Sequence, residues 1–282
     1  MIKITESPRD AMQGLKKIIP TSQKISYINK LLTVGFDTVD VGSFVSSKAV
    51  PQMSDTKEVL QALDCSRSKS KISVLVGNSK YAKIAAEIET VDYLNYPFSI
   101  SNEFLKRNLK SSVEPAYVQV DEIIAISEAA GKKPLITISS AFGNPYGDYW
   151  SPDILSEHIS RLYEKGLRYF PLADTTAMAT PESLEAVFLK LQADFPDAEL
   201  NLHLHTTSKE MIPKIESAFA AGCRNFDTVF NGMGGCPMSG HDLVANLNTS
   251  DFVNWLNSNQ IKHHLDADEL YGAASKAIDI FG

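Results

Sequence analysis

Leu200-Asn201-Leu202-His203-Leu204-His205 decides how the rest of the chain is read. Leucines alternate with Asn201, His203 and His205, the two-residue period of a strand, so both histidines fall on one face. Same-face neighbours lie about 6–7 Å apart, near enough for two imidazoles to share one metal ion. The run stops at Thr206-Thr207-Ser208, and a helical pattern, Lys209–Ala221, follows. A strand ending in polar groups before a helix is where a parallel α/β enzyme keeps its chemistry. The same pattern also fits two inward histidines hydrogen-bonded in a polar barrel core.

Outward from this strand, the chain repeats short β-rich runs and helical segments. Strands are expected at Lys3–Thr5, Thr38–Val41, Ile72–Val76, Thr90–Leu94, Pro134–Ile138, Arg168–Leu172, Glu199–His205 and Asn225–Phe230. Helices are expected at Ser22–Val34, Asp55–Leu63, Tyr81–Ile88, Val113–Ala130, Pro152–Lys165 and Pro181–Gln192, with Ser151 and Thr180 as N-caps and Gly35 and Gly166 as stops. Eight β/α units in 282 residues predict an α/β fold, a single (β/α)8 TIM barrel, for which ~250 residues is typical. The remainder, from Asp242, reads as extra C-terminal helices: Leu243–Leu247, Asp251–Ser258 and Ala267–Phe281. Residues 1–282 are therefore read as a single catalytic domain.

Composition narrows the function. The net charge is −7, from 27 basic and 34 acidic residues with no basic block, which argues against nucleic acid as partner. No run of about 18 apolar residues suggests a membrane span, and MIKITESPRD lacks the apolar core of a signal peptide. Three widely spaced cysteines (Cys65, Cys223 and Cys236) without a CxxC pair fit a reducing cytoplasm.

Polar groups collect where the expected strands end. Arg9 and Asp10 follow the first, Asp40 and Ser43 the second, Asp174 and Thr175 the sixth, and His203 and His205 close the seventh. Asp10, His203 and His205 make a carboxylate with two imidazoles, a donor mix that suits Mg²⁺ or Mn²⁺ and also Fe²⁺ or Zn²⁺. Arg9 beside them has the character of an oxyanion-stabilising cation. The Gly232–Cys236 run reads as a lid loop carrying a thiol.

At these residues the sequence resembles the 3-hydroxy-3-methylglutaryl-CoA lyase family. Ser7-Pro8-Arg9-Asp10-Ala11-Met12-Gln13, Ser43-Phe44-Val45-Ser46, Val50-Pro51-Gln52-Met53, Ala173-Asp174-Thr175, His203-Leu204-His205 and Gly234-Gly235-Cys236-Pro237 follow in the family's order over residues 2 to about 250. The resemblance implies a divalent cation on Asp10, His203, His205 and Asn246. It implies Arg9 at the thioester enolate, Cys236 as an acid/base on a lid, Asp174 in support of proton transfer, and Asp40 among the candidate bases. It further implies an acyl-CoA substrate and a homo-oligomer, a dimer. Asp40 stands where the family usually has glutamate, Thr206 where aspartate is common, and Asn144 where a cysteine stands. Met238–Ala245 departs from the family's small-residue run and is one residue longer. A Claisen-type acyl-CoA synthase, a non-catalytic metabolite-binding barrel and a 2-His-1-carboxylate oxygenase are the competing readings.

Overall fold

The chain was examined as a computed structural model that describes residues 1–234 and 244–281. Eight parallel strands close into a barrel in sequential order. In chain order they are β1 (Lys3–Glu6), β2 (Thr38–Phe44), β3 (Lys71–Val76), β4 (Tyr93–Ser99), β5 (Lys133–Ser139), β6 (Tyr169–Ala173), β7 (Glu199–His203) and β8 (Asn225–Thr228). The helices are α1 (Pro8–Gln13), α2 (Thr21–Val34), α3 (Thr56–Gln61), α4 (Ser79–Ala86), α5 (Asn102–Leu109), α6 (Val113–Ala129), α7 (Pro152–Glu164), α8 (Pro181–Asp194), α9 (Met211–Ala220), α10 (Thr249–Ser258) and α11 (Ala267–Phe281). The (β/α)8 expectation holds.

Strand alternation sorts the residues by face. Ile4, Val39, Ile72, Val74, Leu94, Tyr96, Phe98, Ile136, Ile138, Phe170, Leu172, Leu202 and Phe226 are buried; their outward positions set them beneath the helices. Many of the inward positions are polar, and the register stacks them in layers drawn from alternate strands. Thr38, Tyr93, Tyr169 and Asn225 come from the even strands, and Thr5, Ser73, Leu135 and Asn201 from the odd ones. Asp40, Asn95, Pro171 and Asp227 form the next layer. Small and polar layers fill a lumen poorly, so space remains at its C-terminal end, where Asp40, Asn95, Asp227 and His203 line a cavity of about 540 Å³.

Helix ends follow the local chemistry. Ser151 Oγ accepts the N–H of Ile154 at 3.2 Å, and Thr180 forms a capping box with Ser183. Gly35 ends α2 at φ +94°, a left-handed conformation that favours glycine.

The structure corrects several boundaries. β4 runs through Asn95-Tyr96-Pro97, expected to end it, because pairing with β5 continues to Ser99–Ser139. β7 stops at His203, and His205 instead forms an isolated antiparallel bridge with Asn246. The helix expected at Leu243–Leu247 is absent over its described residues. Residues 245–247 are drawn instead into backbone bonds with the strand ends: Thr206 N–H to Ala245 O at 2.8 Å, Leu247 N–H to Leu204 O at 3.1 Å, and Val229 N–H to Leu247 O at 2.9 Å. Two short helices, α1 and α5, were not expected. Each has too few apolar positions to show a helical period.

Glu6 ties the closing seam of the barrel together. It points outward from β1 and is completely buried. Its Oε1 accepts the N–H of Phe230 at 2.9 Å, while Oε2 pairs with the hydroxyls of Thr249 at 2.6 Å and Thr228 at 3.1 Å. Burial outweighs these bonds and pushes the carboxyl up to about 8. Between its ordinary value of 4.5 and about 8, the folded chain holds a proton that the unfolded chain has lost. Stability contributed by this group therefore falls as pH rises through that window, by at most about 1.4 kcal/mol per pH unit. Urea unfolding across the window should show this slope in the native chain and a flatter one in Glu6→Gln. Equal slopes would mean that Glu6 is ionised in the fold.

Candidate metal centre

β1 delivers the first ligand. Its last turn runs straight into α1 through Pro8, which suits the first helical position, and Ser7 N–H bonds Thr228 O at 2.9 Å on β8. Asp10 thereby faces the ends of β7 and β8 across the closing seam. The donor atoms of Asp10, His203 and His205 all lie within 4.8 Å of one another.

Each imidazole is held through Nδ1. His203 Nδ1 meets Asp227 Oδ2 at 3.0 Å, and Asn201 Nδ2 donates to the other oxygen of Asp227 at 2.8 Å. His205 Nδ1 meets the carbonyl oxygen of Asp174 at 2.8 Å. With Nδ1–H given to those acceptors, the Nε2 lone pairs are left free, the arrangement metal-binding histidines adopt. His205 Nε2 is buried and has no hydrogen-bond partner. Burial and the neighbouring His203 push His205 down to about 4, so it is neutral and able to ligate at neutral pH. Burial works against the charged form of His203 too, but its bond to Asp227 and that group's charge raise it overall.

Asp10 is wrapped by donors. Arg9 Nη1 reaches Oδ1 at 3.2 Å, Gln13 Nε2 reaches the same oxygen at 2.8 Å, and Asn246 Nδ2 reaches Oδ2 at 2.8 Å. Burial opposes its ionisation, but Arg9 and the two imidazoles prevail and hold its carboxyl below the usual range. Gly234 crosses directly over this residue at φ +88°, where a Cβ would lie 2.4 Å from the carbonyl oxygen of Asp10. Only glycine fits there. Asn246 Nδ2 also donates to Met233 O at 2.8 Å, which fixes the loop to the ligand cluster.

Arg9 Nε donates to Asp40 Oδ2 at 2.7 Å. Burial opposes its charge, yet Asp40 and Asp10 more than compensate and keep the guanidinium protonated. Asp40 Oδ1 is buried and has no partner. Burial raises the Asp40 carboxyl in spite of Arg9, which suits a proton acceptor. Asp10, Asp40 and Asp227 thus bring three carboxylates to this end of the lumen, beside the single guanidinium of Arg9. The surplus negative charge, the free Nε2 of His205 and the mixed O/N donors all fit a divalent cation.

Asp174 follows β6 directly, and its Oδ2 is buried without a hydrogen-bond partner. Its carboxylate Oδ1 accepts the N–H groups of Met178 at 2.8 Å and Ala179 at 3.1 Å, and its backbone carbonyl is what meets His205. Burial pushes its carboxyl up to about 6. Cys236 lies outside the described residues. Asp227 and Gln13 belong to the site and were missed in the sequence. The Asn225/Asp227 alternation mirrors Asn201/His203, and Gln13 stands three residues after Asp10 on α1; both signals were available.

From the donor cluster the cavity extends past Val45, Val50, Leu75, Tyr81 and Phe104 toward Asn108 and Lys110. An apolar corridor with polar groups at its two ends suits an extended acyl chain with a charged terminus.

A family model described as HMGL-like matches residues 2–276. The cytoplasmic 3-hydroxy-3-methylglutaryl-CoA lyase of Rattus norvegicus is 29% identical over 96% of this chain and 79% of its own length. The mitochondrial hydroxymethylglutaryl-CoA lyase of Bos taurus is 32% identical over 89% of this chain and 77% of its own. Among solved structures, an HMG-CoA lyase from Acinetobacter baumannii in complex with coenzyme A and 3-methylmalate superposes with a TM-score of 0.93 at 28% identity, covering 100% of this chain and 92% of that one. The HMG-CoA lyase of Brucella melitensis gives 0.90 at 28% identity, covering 99% and 98%. With a matching profile from end to end and a common barrel, the chain belongs to the HMGL-like family of carbon–carbon lyases.

Proposed function

We propose that this chain is a hydroxymethylglutaryl-CoA lyase, which cleaves 3-hydroxy-3-methylglutaryl-CoA to acetyl-CoA and acetoacetate. The observation that carries this reading is the Asp10–His203–His205 cluster beside a buried, charged Arg9 at the end of an apolar corridor. Asp10, His203 and His205 would hold Mg²⁺ or Mn²⁺, with Asn246 completing the set through its side-chain oxygen; Zn²⁺ fits the same donors. Bound there, such a cation supplies Lewis acidity to substrate oxygens.

The protein's own groups account for the proton and charge movements. Asp40, through its unpartnered Oδ1, takes the proton of the C3 hydroxyl. The C3–O bond becomes a carbonyl as the C2–C3 bond breaks, which releases acetoacetate. The electron pair of that bond passes into the thioester enolate. Arg9, held charged by Asp40 and Asp10, stabilises the enolate oxygen. Cys236, which follows β8 in the sequence, is our candidate for returning a proton to C2, giving acetyl-CoA. Asp174 positions His205 through its carbonyl oxygen. We read residues 1–282 as one catalytic domain acting in the cytoplasm on leucine-derived carbon; relatives named cytoplasmic and mitochondrial both exist. No described helix is long and apolar enough to cross a membrane.

Purified protein given 3-hydroxy-3-methylglutaryl-CoA should release acetoacetate, stop after EDTA treatment and recover with Mg²⁺ or Mn²⁺. Turnover indifferent to chelation would overturn the assignment, and condensation of acetyl-CoA with a 2-oxo acid in its place would turn it toward a synthase. Arg9→Ala should lower kcat by about 10²–10³, the range for loss of one oxyanion donor. Near-native turnover in that variant would remove Arg9 from the chemistry. Asp227→Asn should weaken Mn²⁺ binding by about 10–100-fold, as loss of a carboxylate partner behind a ligating histidine does. Titration of the metal reads this directly, and an unchanged affinity would deny Asp227 that role.

A further inference from the structure

The opposite end of the barrel carries a second cavity, of about 1080 Å³, and its chemistry differs from that of the first. The layer that closes a barrel interior is ordinarily filled by branched apolar side chains. Here the N-terminal layer consists of the first residues of the odd strands: Lys3 on β1, Lys71 on β3, Lys133 on β5 and Glu199 on β7. Three ammonium groups and one carboxylate therefore ring the mouth. Arg67 and Lys69, just before β3, and Arg168, just before β6, join them on the wall. Seven basic side chains against four acidic ones line this cavity, in a chain whose net charge is −7.

Four of the seven basic groups have carboxylate partners, Lys165 meeting Asp121 at 2.6 Å. Lys3 pairs with Glu199 at 2.6 Å, Lys71 with Asp92 at 2.9 Å and Arg168 with Asp197 at 3.0 Å, all between half-exposed side chains whose pairing is weak in water. Lys133, Arg67 and Lys69 make no ion pair with any described residue. A concave wall with an excess of basic groups concentrates positive potential on whatever enters. Lysine ammonium groups act as point charges suited to phosphate oxygens. The cavity is concave and close to small-molecule size, which suits a small ligand better than a flat macromolecular surface.

We propose that this N-terminal cavity is a binding site for a small phosphate-bearing anion, with Lys133 and Lys69 as its principal cationic contacts. The site is separate from the metal centre and does not depend on the lyase assignment. Two adjacent layers of side chains separate the two cavities: Thr5, Thr38, Tyr93, Leu135 and Tyr169 line both.

Calorimetric titration of the full chain with pyrophosphate at low ionic strength tests this, with sulfate at matched ionic strength as the baseline. Saturable binding of one pyrophosphate per chain, weakened about fivefold or more by Lys133→Gln and by Lys69→Gln, is the expected result. Lys110→Gln, at the rim of the other cavity, should leave it unchanged. Unaltered thermal melting and acetoacetate release would show that Lys133→Gln and Lys69→Gln are folded. Absence of saturable binding up to millimolar pyrophosphate would overturn the proposal. So would equal affinity in Lys133→Gln, or loss of binding in Lys110→Gln in its place.

Discussion

The carboxylate of Asp10 is where the two ends of the chain are made to meet. It comes from α1, immediately after β1, yet its neighbours are His203 and His205 at the end of β7 and Asn246 beyond β8. Only closure of the barrel through the β1–β8 pairing makes them adjacent. A carboxylate so placed would resist burial, and Arg9, Gln13 and Asn246 supply the donors that keep it ionised. The same groups leave the cluster short of positive charge, and this shortage is the physical reason it suits a dication. The metal centre is therefore a consequence of topology as much as of ligand chemistry.

The fold was legible because its signal repeats. Eight β-rich runs separated by helical periods leave few alternatives, and Asn201, His203 and His205 on one strand face located the functional rim. What escaped was set by pairing between distant segments. Pro97 reads locally as a strand breaker, but β5 carries the ladder past it. Residues 245–247 carry apolar and helix-favouring side chains, yet their backbone groups are claimed by Leu204, Thr206 and Val229. Asp227 was overlooked because a single aspartate on a short strand looks like a turn residue until its partner, His203, is known. Asp174 stands at the rim as its sequence position suggests, but the contact of its carbonyl oxygen with His205 and of its Oδ1 with the turn to Ala179 depend on the folded backbone.

A polar lumen would ordinarily undermine a barrel, since branched apolar layers usually fill one. This chain relocates its apolar burial outward. Ile4, Val74, Phe98, Ile138, Phe170, Leu202 and Phe226 are buried on the helix-facing side of the strands. The inner positions are thereby released from packing and can hold Thr, Ser, Asn, Asp and His. Glu6 shows the arrangement from the other side. It is the one carboxylate on the outer face of β1, and there it survives by holding a proton and three hydrogen bonds.

The two mouths of the barrel then differ through strand direction alone. Parallel strands send every first residue to one end and every last residue to the other. On the odd strands the first residues are Lys3, Lys71, Lys133 and Glu199, while the even and odd strands together bring Asp40, Asp227 and His203 to the far end. Cationic and anionic mouths are thus stacked along one axis, with residues such as Tyr93 and Tyr169 lining both cavities between them. Charge segregation of this kind stabilises a cation at one end and an anion at the other with no added domain.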